Sequence, residues 1–283
     1  MSFLDFIEIG TSDFNTEIQK LDNKCGISIE PVKYYLDRLP DKLSCKKINM
    51  GISNYTGIGK IFYIPEENIK KYKFKNWVRG CNSINSYHKT VSTICLKKKI
   101  NIENISESYE IPINTLLSVF HDNNISGVFY LKIDTEGHDT IILKKFYQDS
   151  NKKQLPHKIM FESNILSNKN HVDEIIHLYS NKGYDIINRG TNTILRLNLN
   201  NIKEKKEFTN EILNYYIEDY PSEYNPNMLP HLNTLESAKE YCIKNNYNGI
   251  VFDNELYTVR CGKYVRPVVS KRSQFNIKVW IYI

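Results

Sequence analysis

The chain opens with a compact apolar run, Phe3-Leu-Asp-Phe-Ile-Glu-Ile9, that closes on Gly10-Thr-Ser-Asp13. Such a run, bounded by turn residues, predicts a buried strand entering a tight turn. Asn15 to Leu21 reads as a short helix with an Asn or Asp cap. Gly26-Ile-Ser-Ile-Glu30 reads as a second strand, stopped by Pro31, because proline cannot donate to a ladder inside a sheet. A helix over Val32 to Arg38 and a strand near Cys45 to Gly51 continue the alternation. The periodicity breaks down between Ile64 and Ile111, where a long irregular insertion is expected to be a lid or substrate loop, about 65–111. It returns with the strand Val128 to Ile133, the helix Thr140 to Phe146, the strand Lys158 to Phe161 and the helix Val172 to Asn181. Two runs from Gly183 and Thr193 read as a terminal antiparallel pair. Strands alternating with helices in this way predict an α/β fold with a parallel, doubly wound sheet.

After Asn200 the character changes. Lys203 to Tyr216 reads as a charged helix and Tyr220 to Pro230, with three prolines, as a linker. A small α+β module is expected over 230–283: a helix starting at the box-like Asn233-Thr-Leu-Glu236 and running through Lys244, then strands at Gly249 to Phe252, Tyr257 to Arg260 and Phe275 to Ile283. The expected division is therefore a domain over 1–200, a helix and linker over 201–229, and the module, which either packs on the first domain or mediates a homodimer.

Composition narrows the class. With 283 residues, 41% apolar and 25% charged, the chain is globular rather than fibrous or disordered. No apolar run approaches the roughly 18 residues of a membrane span. The first apolar stretch carries Asp5 and Glu8 and lacks a basic leader, so no secretory signal and a cytoplasmic location are expected. The six cysteines lack any Cys-x-x-Cys pair, which suits reduced thiols better than disulfides or a zinc site. The net charge of +6 is modest; the basic stretches Lys71 to Arg79 and Lys97 to Lys99 either solvate a surface or favour an anionic substrate.

Three strands end in carboxylates, Glu30, Asp134 and Glu162, and in an open α/β sheet the ligand crevice lies beyond those ends. The spacing from Gly10 to Glu30 is close to the roughly 20 residues between the glycine turn of a nucleotide-binding unit and its ribose-binding acid. Ser12 and Phe14 stand where a dinucleotide fingerprint has glycines, so a ligand with adenosine but no pyrophosphate fits better.

The run Lys132-Ile-Asp-Thr-Glu-Gly-His-Asp139 resembles the signature of the FkbM-like methyltransferases, which use S-adenosylmethionine mostly to O-methylate sugar or polyketide hydroxyls. Glu8-Ile-Gly10 resembles that family's first motif, Ile29-Glu-Pro31 its ribose-binding acid, Asn82-Ser-Ile84 its mid-chain serine motif, Met160-Phe-Glu162 its next strand and Gly183-Tyr184 its closing hairpin. The resemblance spans roughly residues 3–199. It implies a Rossmann-like, seven-stranded methyltransferase sheet, with Glu8, Gly10, Ser12, Glu30, Asn82, Ser83 and Asp134 on the cofactor side. It also implies a base for the acceptor hydroxyl among Asp134, Glu136, His138 and Glu162.

Structural roles compete at each position. Glu8 is a cofactor-side acid or a cap, Asp134 a site residue or the cap of the following helix, and Glu136 and His138 are catalytic or part of that helix's first turn. His88 reads as a surface histidine, and Trp77 and Tyr87 as loop anchors. A divalent metal on the strand-end carboxylates stays open, since no spacing specifies one. The expected acceptor is a sugar, nucleotide sugar or glycan, with no membrane and no nucleic acid partner; the competing functions are RNA ribose 2′-O-methylation and a non-catalytic binding module.

Overall fold

The computed structural model describes residues 2–10, 12–13, 15–20, 24–164, 167–222, 232–268 and 277–283. Its first half contains β1 (Ser2–Ile9), α1 (Glu17–Lys20), β2 (Gly26–Ile29), α2 (Lys33–Asp37), β3 (Cys45–Ile48), β4 (Gly51–Ser53), β5 (Gly57–Tyr63), α3 (Glu66–Lys71), β6 (Ser83–Ile84), α4 (Lys89–Lys97), β7 (Glu107–Thr115) and α5 (Leu116–Asp122). There follow β8 (Ile125–Ile133), α6 (Asp139–Asp149), β9 (Lys158–Glu162), α7 (Lys169–Asn181), β10 (Tyr184–Arg189) and β11 (Asn192–Leu197). The chain ends with β12 (Ile212–Leu213), β13 (Tyr215–Ile217), α8 (Leu235–Lys244), β14 (Gly249–Asp253), β15 (Leu256–Arg260), β16 (Val265–Pro267) and β17 (Lys278–Ile281).

The molecule is mixed α/β, centred on a seven-stranded sheet of order β10-β11-β9-β8-β1-β2-β3. Strands β9 through β3 run parallel, and β11 lies antiparallel between β9 and β10. Phe6, Ile7 and Ile9 of β1 and Val128, Leu131 and Ile133 of β8 are all buried, the near-continuous apolar run expected when helices cover both faces. α5, α6 and α7 place Phe120, Phe146 and Ile175 in the main core, while Ile18, Leu36 and Leu39 pack with Phe6 in a smaller cluster. From β1 the chain builds outward to β2 and β3, then resumes on the other side at β8, so the strand order reverses between β1 and β8. That reversal opens a crevice beyond the strand ends. Ile9 pairs with both Ile29 and Ile133, so Gly10, Glu30 and Asp134 leave the sheet at one level.

Two expectations are corrected. Residues 64–111 are not irregular: they carry α3, β6, α4 and part of β7, with a core of Ile64, Ile69, Val78, Cys81, Val91, Cys95 and Ile105. Most of these elements are too short for periodicity to register. β4, β7, β5 and β6 form a second sheet in that order. The charged helix over 203–216 does not form. That segment is largely extended, with β12 and the start of β13, and its amides find partners in the last strand: Lys206 N and Glu207 N donate to the Ile283 carbonyl and Thr209 N to that of Ile281. Burial of Ile212, Tyr215 and Ile217 overrides the helical propensity of the lysines and glutamates that precede them.

Beyond residue 200, β12-β17-β14-β15 form an antiparallel sheet, and β13 pairs with β16. Ile212, Tyr215, Val251, Val265 and Ile281 belong to the same core as β1 and β8. The Tyr215 hydroxyl donates to Asp5 Oδ1 at 2.5 Å, and its ring meets Phe3 edge-on at 5.5 Å. α8 is capped by Thr234, paired with Ser237 rather than with Glu236. Residues 223–230 of the expected linker, and the first two residues of the final strand, lie outside the described residues. None of the six cysteines forms a disulfide. Among the described residues no helix is long and apolar enough to cross a membrane.

Candidate active site

At the reversal point lies a cleft of about 280 Å³. One wall is made by Ile9, Gly10, Glu30 and the 134–138 loop, the other by the second sheet and the segment Gly80 to Lys89. Gly10 has φ +74°, and a Cβ there would stand 2.4 Å from the Asp134 carbonyl oxygen. Only glycine lets the turn after β1 close against the end of β8.

Glu30 is buried at the end of β2 and accepts hydrogen bonds from Ser12 N at 2.8 Å and Val32 N at 2.9 Å. Burial pushes its carboxyl up to about 7, with those two bonds opposing the shift. Each oxygen bonded once keeps a lone pair for a ligand. Glu8 is not brought to the cleft. It accepts from Ser28 Oγ at 2.5 Å, Glu17 N at 2.6 Å and Ile18 N at 3.3 Å, and so caps α1 from beneath.

The loop after β8 gathers the other acids. Asp134 N donates to the Ile9 carbonyl at 3.0 Å, and the α6 cap position falls to His138 rather than Asp134. Glu136 sits at φ +53° and Gly137 at φ +95°, a curl that costs of order 1–3 kcal/mol at a non-glycine residue. Asp139 holds the curl: fully buried, it accepts from Thr135 N at 2.9 Å, from the Thr135 hydroxyl and from Glu162 N at 2.7 Å. Burial lifts Asp139 to about 6.

Asp134, Glu136 and Glu162 come together, with carboxylate oxygens all within 4.8 Å of one another. Burial, then repulsion from neighbouring carboxylates, pushes Glu136 up to about 7 and Glu162 up to about 8. Burial also raises Asp134, against the pull of Lys132. Asp134 and Glu136 line the cleft; Glu162 stands behind them, outside its lining. His138 Nε2 lies 3.0 Å from Ser53 Oγ, and burial lowers its pKa, so the ring is neutral near pH 7.

Asn82 and Ser83 line the opposite wall. Asn82 Oδ1 and Ser12 Oγ are buried without a hydrogen-bond partner. Trp77 is exposed, whereas Tyr87 both lines the cleft and packs edge-on against Phe62 at 4.7 Å. His88 is corrected: it is no surface histidine but a buried cleft residue, its Nε2 3.6 Å from Glu136 Oε2. Nothing in its local sequence marked it, since the carboxylate it faces comes from the loop after β8. Ser53 and Asp139 were likewise missed, although Asp139 closes the quoted run. Two trios have metal-compatible spacing, Cys81–His88–Glu136 and Asp134–Glu136–Glu162.

No curated protein and no solved structure matches the chain. The Methyltransferase FkbM domain matches it over residues 8–186, from Glu8 at the first strand to Ile186 in β10, a stretch that holds every residue of this cleft. The chain therefore belongs to the FkbM methyltransferase family.

Proposed function

We propose that the protein is an S-adenosylmethionine-dependent O-methyltransferase acting on a hydroxyl of a sugar, glycan or related small molecule. The observation that carries this reading is the set of unused acceptors around the strand reversal. Glu30 keeps lone pairs, and Asn82 Oδ1 and Ser12 Oγ have no partner, on either side of the turn at Gly10. When bound, S-adenosylmethionine supplies a methyl group on a positively charged sulfur. Glu30 would accept hydrogen bonds from its ribose hydroxyls, Gly10 and Ser12 would hold its amino-acid end, and Asn82 and Ser83 would face it from the opposite wall. Asp134, Glu136 and Glu162 crowd one another and hold protons tightly, and a cationic ligand beside them would relieve that repulsion and restore their charge.

His138 is the base. Its ring is neutral, Ser53 fixes its orientation, and it takes the proton as the acceptor oxygen attacks; such a base contributes roughly 10²–10⁴-fold. The sheet order supports the Rossmann-like methyltransferase sheet. In this reading residues 1–200 are the catalytic domain, about 65–111 its lid and 230–283 a module packed behind it, in a cytoplasmic enzyme. Calorimetric titration with S-adenosylhomocysteine tests the reading, with Glu30→Ala alongside. Micromolar binding that weakens in the variant supports it and leads to a screen of nucleotide sugars and glycans. In that screen, His138→Gln lowers kcat while product binding stays unchanged. No binding by demonstrably folded protein defeats the reading in favour of a binding module.

A further inference from the structure

His88 sits at the head of α4 with 6% of its side chain exposed. Its Nδ1 is buried without a partner, and among the described residues neither ring nitrogen makes a hydrogen bond. Nε2, the nitrogen that faces Glu136, therefore has a lone pair that no protein donor uses. Its nearest charged neighbour is Glu136, at 3.6 Å, too long for a hydrogen bond. That separation has another meaning. Two ligand atoms about 2.1 Å from one tetrahedral ion stand roughly 3.4 Å apart. The Cys81 thiol, buried at the end of the turn before β6, has its Sγ within 4.8 Å of both.

We propose that Cys81, His88 and Glu136 bind one zinc ion, with its fourth coordination position open to the cleft. A thiolate, an imidazole and a carboxylate together select zinc over magnesium or calcium, which take oxygen sets. Three protein ligands with one open position is the pattern of catalytic rather than structural zinc. The thiolate and carboxylate balance the ion's charge. Among the described residues Glu136 has no lysine or arginine ion partner, and Asp134 and Glu162 crowd it from the other side with carboxylate oxygens within 4.8 Å. The ligands come from separate loops, which is why no Cys-x-x-Cys spacing announces them. His88 and Glu136 line the cleft, so a water or an acceptor hydroxyl reaches the open position from the same space as His138. The proposal does not rest on the cofactor reading.

The test uses the full chain, treated with EDTA and titrated with cobalt(II) as a spectroscopic stand-in, then with zinc by calorimetry. One equivalent of cobalt giving intense tetrahedral-type visible bands and a thiolate charge-transfer band, displaced by zinc, is expected. Cys81→Ala removes the charge-transfer band, and His88→Ala and Glu136→Gln weaken zinc binding more than about tenfold. Circular dichroism and melting establish that each variant folds, and the wild-type spectrum decides by itself if one does not. Absence of stoichiometric binding by folded wild type, or wild-type affinity in both Cys81→Ala and His88→Ala, overturns the site. S-adenosylhomocysteine binding, measured in parallel, separates the two readings: its loss alone sinks the cofactor and leaves the metal.

Discussion

Glu30 offers a sharp test because stability and ligand binding ask opposite things of it. The carboxyl is completely buried, and burial raises it from 4.5 to about 7 in the folded protein. A raised folded pKa means the native state holds the proton more tightly than the unfolded chain. The associated stability is fully present below about pH 4.5 and disappears as pH rises through about 7. At roughly 1.4 kcal/mol per unit, the loss is about 3 kcal/mol. Glu30→Gln mimics the protonated form. The variant is therefore expected to match wild type near about pH 5 and to become more stable than it by about 2–3 kcal/mol near about pH 8. Urea unfolding at both pH values, followed by circular dichroism, measures this difference. Subtracting variant from wild type removes the contribution of Glu8, Glu136, Asp139 and Glu162, which burial also raises. S-adenosylhomocysteine affinity moves the other way, falling in the variant, because an amide lacks the carboxylate's second acceptor. A variant destabilised more at high pH than at low pH would refute the reasoning. It would mean that the Ser12 and Val32 amides outweigh burial and that Glu30 is ionised at rest.

Two further predictions concern the scaffold. Gly10→Ala places a Cβ 2.4 Å from the Asp134 carbonyl at φ +74°; left-handed strain and overpacking together cost about 2–4 kcal/mol and displace the 134–138 loop. Gly190→Ala, whose Cβ meets only Asn188 at 3.9 Å, stays within about 1 kcal/mol of wild type, so equal urea midpoints for the two variants would sink the close-approach argument. Tyr215→Phe removes the hydrogen bond to Asp5 that ties the last third of the chain to β1 and lowers stability by about 1–2 kcal/mol; an unchanged urea midpoint rejects that link.

Much of the first two hundred residues was legible because its signals are local. Apolar runs of strand length, glycine at the first turn and an acid at three strand ends are written in consecutive residues. The core of the resemblance, Lys132 to Asp139, is one such loop. Glu30 and Asp134 could be placed at one crevice from sequence because parallel strands deliver their ends to the same edge. Glu8 could not be separated from them: it too lies near a strand end, but the pleat turns it towards α1, and only the observed hydrogen bonds to Glu17 and Ile18 reveal that.

The sequence by itself determined the alternation of strands and helices, the glycine turn and the acids at the crevice, since each depends on residues within one turn or one strand. The tertiary structure alone decided which distant side chains meet. His88 reaches Glu136 and Ser53 reaches His138 because a second sheet folds over the strand ends. It also decided that residues 203–216 pair with the last strand instead of coiling. In both cases long-range burial, which leaves no periodic mark in the chain, outweighs local preference.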